Sequence, residues 1–208
     1  MTLPDNRARE ILMQLTNLLQ HGWGTLLVAK HIQEARTSKR INSSHFFFSI
    51  TENSCIESSL IALSKIIIPH DDSISIHYLL NFAEQNHQVF SRSDKQTIIK
   101  IIREHRQQLL AISALIANIK EQRDHTLAHL DKKHITNPSI VHTYPPLNYV
   151  EVENAFELIL NIINTYFGYL SPSYDFRLHS MDSRIAEDTN YLIGLLERDN
   201  VKPKSTAG

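Results

Sequence analysis

At 208 residues, with 42% hydrophobic and 21% charged side chains, the chain is long enough to bury a sizeable core and too apolar to be disordered. A net charge of −1 gives it no bulk attraction for polyanions, and Cys55, its single cysteine, excludes an internal disulfide or a thiolate metal cluster and makes a reducing compartment the default. The counts of 5 Gly and 7 Pro leave too little turn punctuation for a sheet protein, so a few long helices are expected.

The first helix is predicted over Asp5–Arg36, where Ile11, Leu12, Leu15, Leu18, Leu19, Trp23, Leu26 and Leu27 recur at three- and four-residue steps. Gly22 and Gly24 inside it mark a bend or a close helix crossing. Thr37–Ser44 is polar and reads as a loop whose serines cap a second helix, His45–Ile68, ended by Pro69. That helix is apolar on much of its circumference, from Phe46, Phe47 and Phe48 to Ile66 and Ile67, and is expected to be the central core helix. A turn over Pro69–Ser73 leads to a short helix, Ile74–Asn86.

Ser93 and Gln96 have the spacing of a capping box, predicting a long helix from Asp94 to His129 with Ile98, Ile102, Leu109, Ile112, Ile116 and Ile119 facing inward. A loop rich in Pro, Thr and His covers Lys132–Leu147. Asn148 and Glu151 repeat the capping pattern ahead of a helix over Val150–Tyr169, Ser171-Pro-Ser is a break, and a last helix is predicted over Asp182–Glu197. With no internal repeat, the pattern is that of an all-α, up-and-down helical bundle with additional helices. One domain over residues 1–199 and a disordered tail over 200–208 are expected.

Charge is unevenly spread. From Glu151 to Asp188 there are seven acids against Arg177 and Arg184, leaving the rest of the chain a modest positive balance that suits phosphate contacts or, equally, solvated helix faces. Met1–Glu10 is charged and no apolar run follows it, so no signal peptide is read. The most apolar charge-free run, Leu158–Tyr174, carries Asn161, Asn164, Thr165 and Pro172 and is too short and too polar to span a bilayer. The expectation is a cytoplasmic protein with no membrane partner.

Most catalytic templates are missing: there is no Gly-rich phosphate loop, no Gly-x-Ser-x-Gly, no Cys-x-x-Cys and no His-Glu-x-x-His. The dense cluster is Glu121-Gln-Arg-Asp-His-Thr-Leu-Ala-His-Leu-Asp131 at the end of the predicted long helix. An Arg, a polar residue and then a His, with four to six residues between Arg and His, late in a helix of an all-α chain, resembles the HEPN superfamily (higher eukaryotes and prokaryotes nucleotide-binding). The form Arg123-Asp124-His125-Thr126-Leu127-Ala128-His129 with Leu130-Asp131 is most similar to the U-type branch named for phage abortive infection. The Phe46–Phe48 helix and the loop around Asp71–Ile76 also sit where that branch has them, and the resemblance spans Arg9 to Phe167.

The resemblance implies an endoribonuclease that cuts RNA without a metal or other cofactor, a toxin or phage-defence effector held by an antitoxin or regulatory protein, with its site across a homodimer. Arg123 and His129 are then the catalytic pair with Asp124 in support, and His125, Lys132 and Lys133 are candidates for holding substrate. The residue types suit the chemistry. Histidine titrates near 6.5 when unperturbed and can move protons near neutrality, and a guanidinium grips phosphate through its planar fork. Six steps along a helix put Arg123 and His129 roughly 120° apart and about 9 Å along the axis. A regular helix therefore cannot present both on one face: either it distorts, or a second copy of the motif completes the site.

Other readings stand beside this one. Arg123 in a surface ion pair and His129 complementing a helix C-terminus would describe a catalytically silent helical interaction or dimerisation module. His125 and His129 share a face, and with Asp131 and His134 nearby they would suit a metal-dependent hydrolase, in a chain with His 12. Arg92, Lys95, Lys100, Arg103 and Arg106, against Asp94 and Glu104, read as a solvated face before an RNA track. Tyr144, Tyr169, Tyr174 and Tyr191 read as packing before base stacking. His31, His45, His105 and His142 are scattered and carry no assignment.

Overall fold

The structure is a computed structural model that describes residues 3–41, 46–70, 73–90, 94–122, 148–171 and 176–200. Within these residues the fold is all-α, as expected. The helices are α1 (Leu3–Thr37), α2 (Phe46–Ile67), α3 (Ile76–Gln85), α4 (Lys95–Ala111), α5 (Ser113–Gln122), α6 (Tyr149–Leu170) and α7 (Asp182–Asn200), with 3-10 turns at His87–Phe90 and Leu178–Met181. The predicted ends of the first, second and third helices fall within two residues of those observed. The serines before α2, the loop over 132–147 and the tail from 201 lie outside the described residues.

The chain divides into two compact units, to which α1 and α2 both contribute. Unit 1 takes Met1–Gly22 and Leu60–Arg177; unit 2 takes Trp23–Ser59 and Leu178–Gly208.

In unit 1 the most deeply buried helix is α6. Val152, Ala155, Phe156, Ile159, Leu160, Ile162, Ile163, Tyr166 and Phe167 are all buried, a face too wide for one stripe. Asn148 caps it, its side chain accepting from the Val150 N–H at 3.0 Å. Central burial thus belongs to α6 and not to α2 as expected: α2 buries Leu60, Ala62, Leu63, Ile66 and Ile67 but leaves Phe46, Phe47 and Ile50 exposed. Gly22 marks the anticipated close crossing. A Cβ there would lie 2.8 Å from the Phe156 ring and 3.0 Å from Ala62 Cβ, so only glycine lets these helices meet so closely.

The long helix predicted from Asp94 is two helices. Its cap is Asp94, not Ser93, with Oδ1 accepting from the Thr97 N–H at 3.0 Å and Oδ2 from the Thr97 hydroxyl at 2.9 Å. The helix then breaks at Ile112, whose N–H turns back to the Leu110 carbonyl. The break rotates the buried stripe. Ile98, Ile102, His105 and Leu109 face the core of unit 1 on α4, but on α5 the buried pair is Leu115 and Ile119, while Ile112 and Ile116 are only half-buried. The 3-10 turn at His87–Phe90 contacts α3, α4 and α6. Phe90, fully buried, meets Phe82 and Tyr166 edge-on at 6.4 and 5.4 Å.

Unit 2 has a smaller core of Ile32, Ala35, Ile41, Phe48 and Ile193, with Val28 against it. Lys39, at φ 58 in the left-handed region, reverses the chain after α1, and Arg40 and Ile41 donate back to the Ala35 carbonyl. Asp182 opens α7, where a negative charge suits the helix dipole. It accepts from Trp23 Nε1 at 2.8 Å and lies 2.6 Å from His179 Nδ1, and Trp23 and His179 meet edge-on at 5.4 Å. Arg36 forms an ion pair with the buried carboxylate of Glu52.

Candidate functional site

The catalytic candidates Arg123, Asp124 and His129, and the substrate-binding candidates His125, Lys132 and Lys133, all lie outside the described residues. So do the histidines and Asp131 of the metal reading. What the structure defines is the frame on which the cluster follows. It ends with α5, which closes at Gln122, the residue before Arg123. Leu115 and Ile119 hold α5 into unit 1, while Lys120 and Glu121 are exposed.

Upstream of that end, α4 is tied to α6 by a buried polar contact that the sequence reading passed over. His105, which sequence alone leaves unassigned, makes a 3.3 Å hydrogen bond through Nδ1 with the Tyr166 hydroxyl, both residues being buried. Each group thereby gives the other a partner away from bulk solvent. The signal was available: His105 falls at a three-and-four step with Ile98, Ile102 and Leu109. Burial pushes the His105 imidazole below its ordinary value, with the nearby Glu104 carboxylate opposing, and the Tyr166 phenol is held well above its own. Both are therefore neutral at pH 7, as a packing contact requires.

This shift has a measurable consequence. Because the folded pKa of His105 lies below its unfolded value, the unfolded chain takes up a proton first as the pH falls. Stability contributed by neutral His105 is present above about pH 6.5 and is lost as the pH drops from there to the folded pKa. Urea unfolding between pH 7.5 and 5.5 should show this loss, and His105→Gln should flatten the slope by up to one proton. An identical slope in the variant would show that His105 is not the titrating group.

Several other charged groups in the described residues have structural partners. Arg106 pairs with Glu84 at 2.7 Å and donates to Asn81 at 2.9 Å, and Lys100 lies 3.9 Å from Glu104. The basic group on α4 is thus partly neutralised, as a solvated face would be; Arg92 lies outside the described residues. His77 is pushed below its ordinary value, chiefly by burial. Burial also pushes the Cys55 thiol up, which makes it a poor nucleophile. Among the described residues no three His, Cys, Asp or Glu side chains are placed to hold a metal ion, and no helix is long and apolar enough to cross a membrane.

A second feature escaped the sequence reading. Unit 2 carries an open apolar groove between α1, α2 and α7. The run Phe46-Phe47-Phe48 was its signal, because a helix turns about 100° per residue and cannot bury three consecutive rings on one face. Only Phe48 is buried. Tyr191 is likewise exposed and not packed as its sequence context predicts.

A family model described as AbiU2, of the HEPN class, matches residues 6–189. No curated protein and no solved structure matches the chain.

Proposed function

From the premise that this chain belongs to the AbiU2 branch of the HEPN superfamily, a group of abortive-infection-related domains, we propose that it is a metal-independent endoribonuclease with a composite active site in a homodimer. The observation that carries the reading is Arg123…His129, an Arg and a His at the family's spacing, inside the matched span and directly after α5.

The chemistry needs three things, and the cluster holds the side chains for each. A base takes the proton from a ribose 2′-OH as its oxygen bonds to phosphorus, a cation stabilises the negative charge that gathers on the phosphorane, and an acid protonates the departing 5′-oxygen as the P–O5′ bond breaks. His129 supplies the proton transfer and Arg123 the charge stabilisation. Asp124 orients a neighbouring cation or imidazole, and His125, Lys132 and Lys133 hold the phosphates alongside. The products are a 2′,3′-cyclic phosphate and a 5′-hydroxyl. Because Arg123 and His129 diverge by roughly 120° on a regular helix, a second copy supplies the missing half of each site.

The test is cleavage of end-labelled RNA by the purified protein in excess EDTA. The expected result is cleavage in EDTA with cyclic-phosphate ends, abolished when the nucleotide on the 5′ side of the scissile bond carries 2′-deoxyribose. Cleavage that EDTA stops would favour the metal-dependent hydrolase on His125, His129, Asp131 and His134. Cleavage that survives 2′-deoxy substitution would defeat the proposed nucleophile. A folded protein that cuts no RNA, alone or with its regulator, would make this a silent interaction module.

A further inference from the structure

The groove of unit 2 plays no part in the cleavage chemistry. Its volume, about 750 Å³, is that of a small-molecule site. The floor is the core of the unit itself, where Ile32, Phe48 and Ile193 are buried yet line the groove. One wall is a face of α7 carrying Ile185, Asp188, Thr189, Leu192 and Leu195 at helical spacing.

Three polar side chains interrupt this apolar lining. Thr51 is satisfied, its hydroxyl donating to the Phe47 carbonyl at 2.9 Å. Thr189 is only 8% exposed, yet its hydroxyl bonds to no described residue. A helical threonine can donate to the carbonyl four residues back, as Thr16 and Thr165 do at 2.8 and 2.7 Å, but Thr189 does not. Nor is its oxygen sealed inside the fold: among the described residues, the closed-off side-chain atoms without partners are those of Arg9, Ser59 and Asn164. The hydroxyl is therefore reached from the groove that Thr189 lines. Asp188, the neighbouring residue, is exposed and has no ion-pair partner among the described residues.

We propose that the groove binds a small lipophilic cation, an apolar chain or ring system carrying an ammonium group. The Asp188 carboxylate attracts the charge, and the Thr189 hydroxyl, an acceptor as well as a donor, takes one ammonium hydrogen. From Thr189 to Leu195 the wall rises about 9 Å, and its lining residues beyond Thr189 are Leu192, Ile193 and Leu195, which hold the apolar body. A slender ammonium-bearing ligand reaches the recessed hydroxyl; a helix laid across the mouth leaves it unpaired.

Binding is read without RNA, so the proposal stands or falls apart from the nuclease reading. Decylammonium, octylammonium and decanoate are titrated calorimetrically into the full chain at pH 7, each well below its micelle-forming concentration. Decylammonium is expected to saturate one site per chain, with octylammonium about tenfold weaker for want of two buried methylenes. Decanoate should be about tenfold weaker than decylammonium, and Asp188→Asn should remove most of that preference. Thr189→Val keeps the shape, loses the hydroxyl, and should weaken decylammonium about fivefold. Leu192→Trp, at an exposed position, should fill the groove and block both cations in a chain of unchanged helical content. Equal affinity for decanoate and decylammonium, or a cation preference unchanged in Asp188→Asn, would overturn the proposal. So would affinity independent of chain length. A folded wild type that binds none of the three probes would overturn it as well, leaving the groove to residues 201–208, a second copy or a foreign helix.

Discussion

Replacing His129 with alanine should lower RNA cleavage about 100- to 10,000-fold, the range spanned by a positioned general acid or base. The loss should lie mainly in kcat, because in the proposed mechanism the imidazole would move a proton in the transition state and contribute little to holding ground-state RNA. Arg123→Ala should be of similar size. Arg123→Lys should recover only part, since an ammonium keeps the charge but not the planar fork that spans two phosphate oxygens. Single-turnover cleavage with purified variants, checked for unchanged helical content, is the measurement. His129→Ala retaining wild-type turnover would remove the catalytic pair from the proposal, whatever RNA the protein cuts.

Arg36→Ala should destabilise the fold by about 3 kcal/mol, the largest stability effect expected of any single ionic contact among the described residues. Glu52 is only 6% exposed, and its partner is the Arg36 guanidinium. Removing Arg36 strands a carboxylate away from water, and the cost is that uncompensated charge more than the lost attraction. The reciprocal change, Glu52→Ala, should cost less, because the Arg36 side chain is a third exposed and can turn its charge to solvent. Replacing both by apolar side chains, Arg36→Met with Glu52→Leu, should restore most of the loss. Urea unfolding of the four proteins decides this; equal losses for the two single variants would contradict the asymmetry of burial.

How much of this molecule was legible in its sequence depended on whether the signal was local. Ser75, Asp94 and Asn148 cap helices through bonds to N–H groups two or three residues away, and the starts of α3, α4 and α6 lie within two residues of those the sequence predicts. The choice between Ser93 and Asp94 was missed because two good capping residues stood side by side. The break at Ile112 has no glycine or proline to announce it. It serves to bring Leu115 into the core of unit 1 beside Ile119, where a continuous helix would have turned in Ile112 and Ile116. Likewise Phe46 and Phe47 have the composition of core residues, and periodicity alone could not say that no described neighbour covers them.

The candidate site divides the same way. Arg123, Asp124, His125 and His129 were identifiable because a motif is a matter of residue type and spacing, and the family match over residues 6–189 rests on that same linear information. The buried His105–Tyr166 bond joins residues 61 apart in the chain, and the Trp23–Asp182 bond residues 159 apart. No local pattern encodes such pairs. The sequence by itself determined the all-α class, most helix ends and the family, since each follows from side chains interacting within a few residues or from a short motif. Only the tertiary structure decided which apolar faces find partners, which histidine is buried and neutral, and that Gly22 is where helices meet, because those depend on packing between segments far apart in the chain.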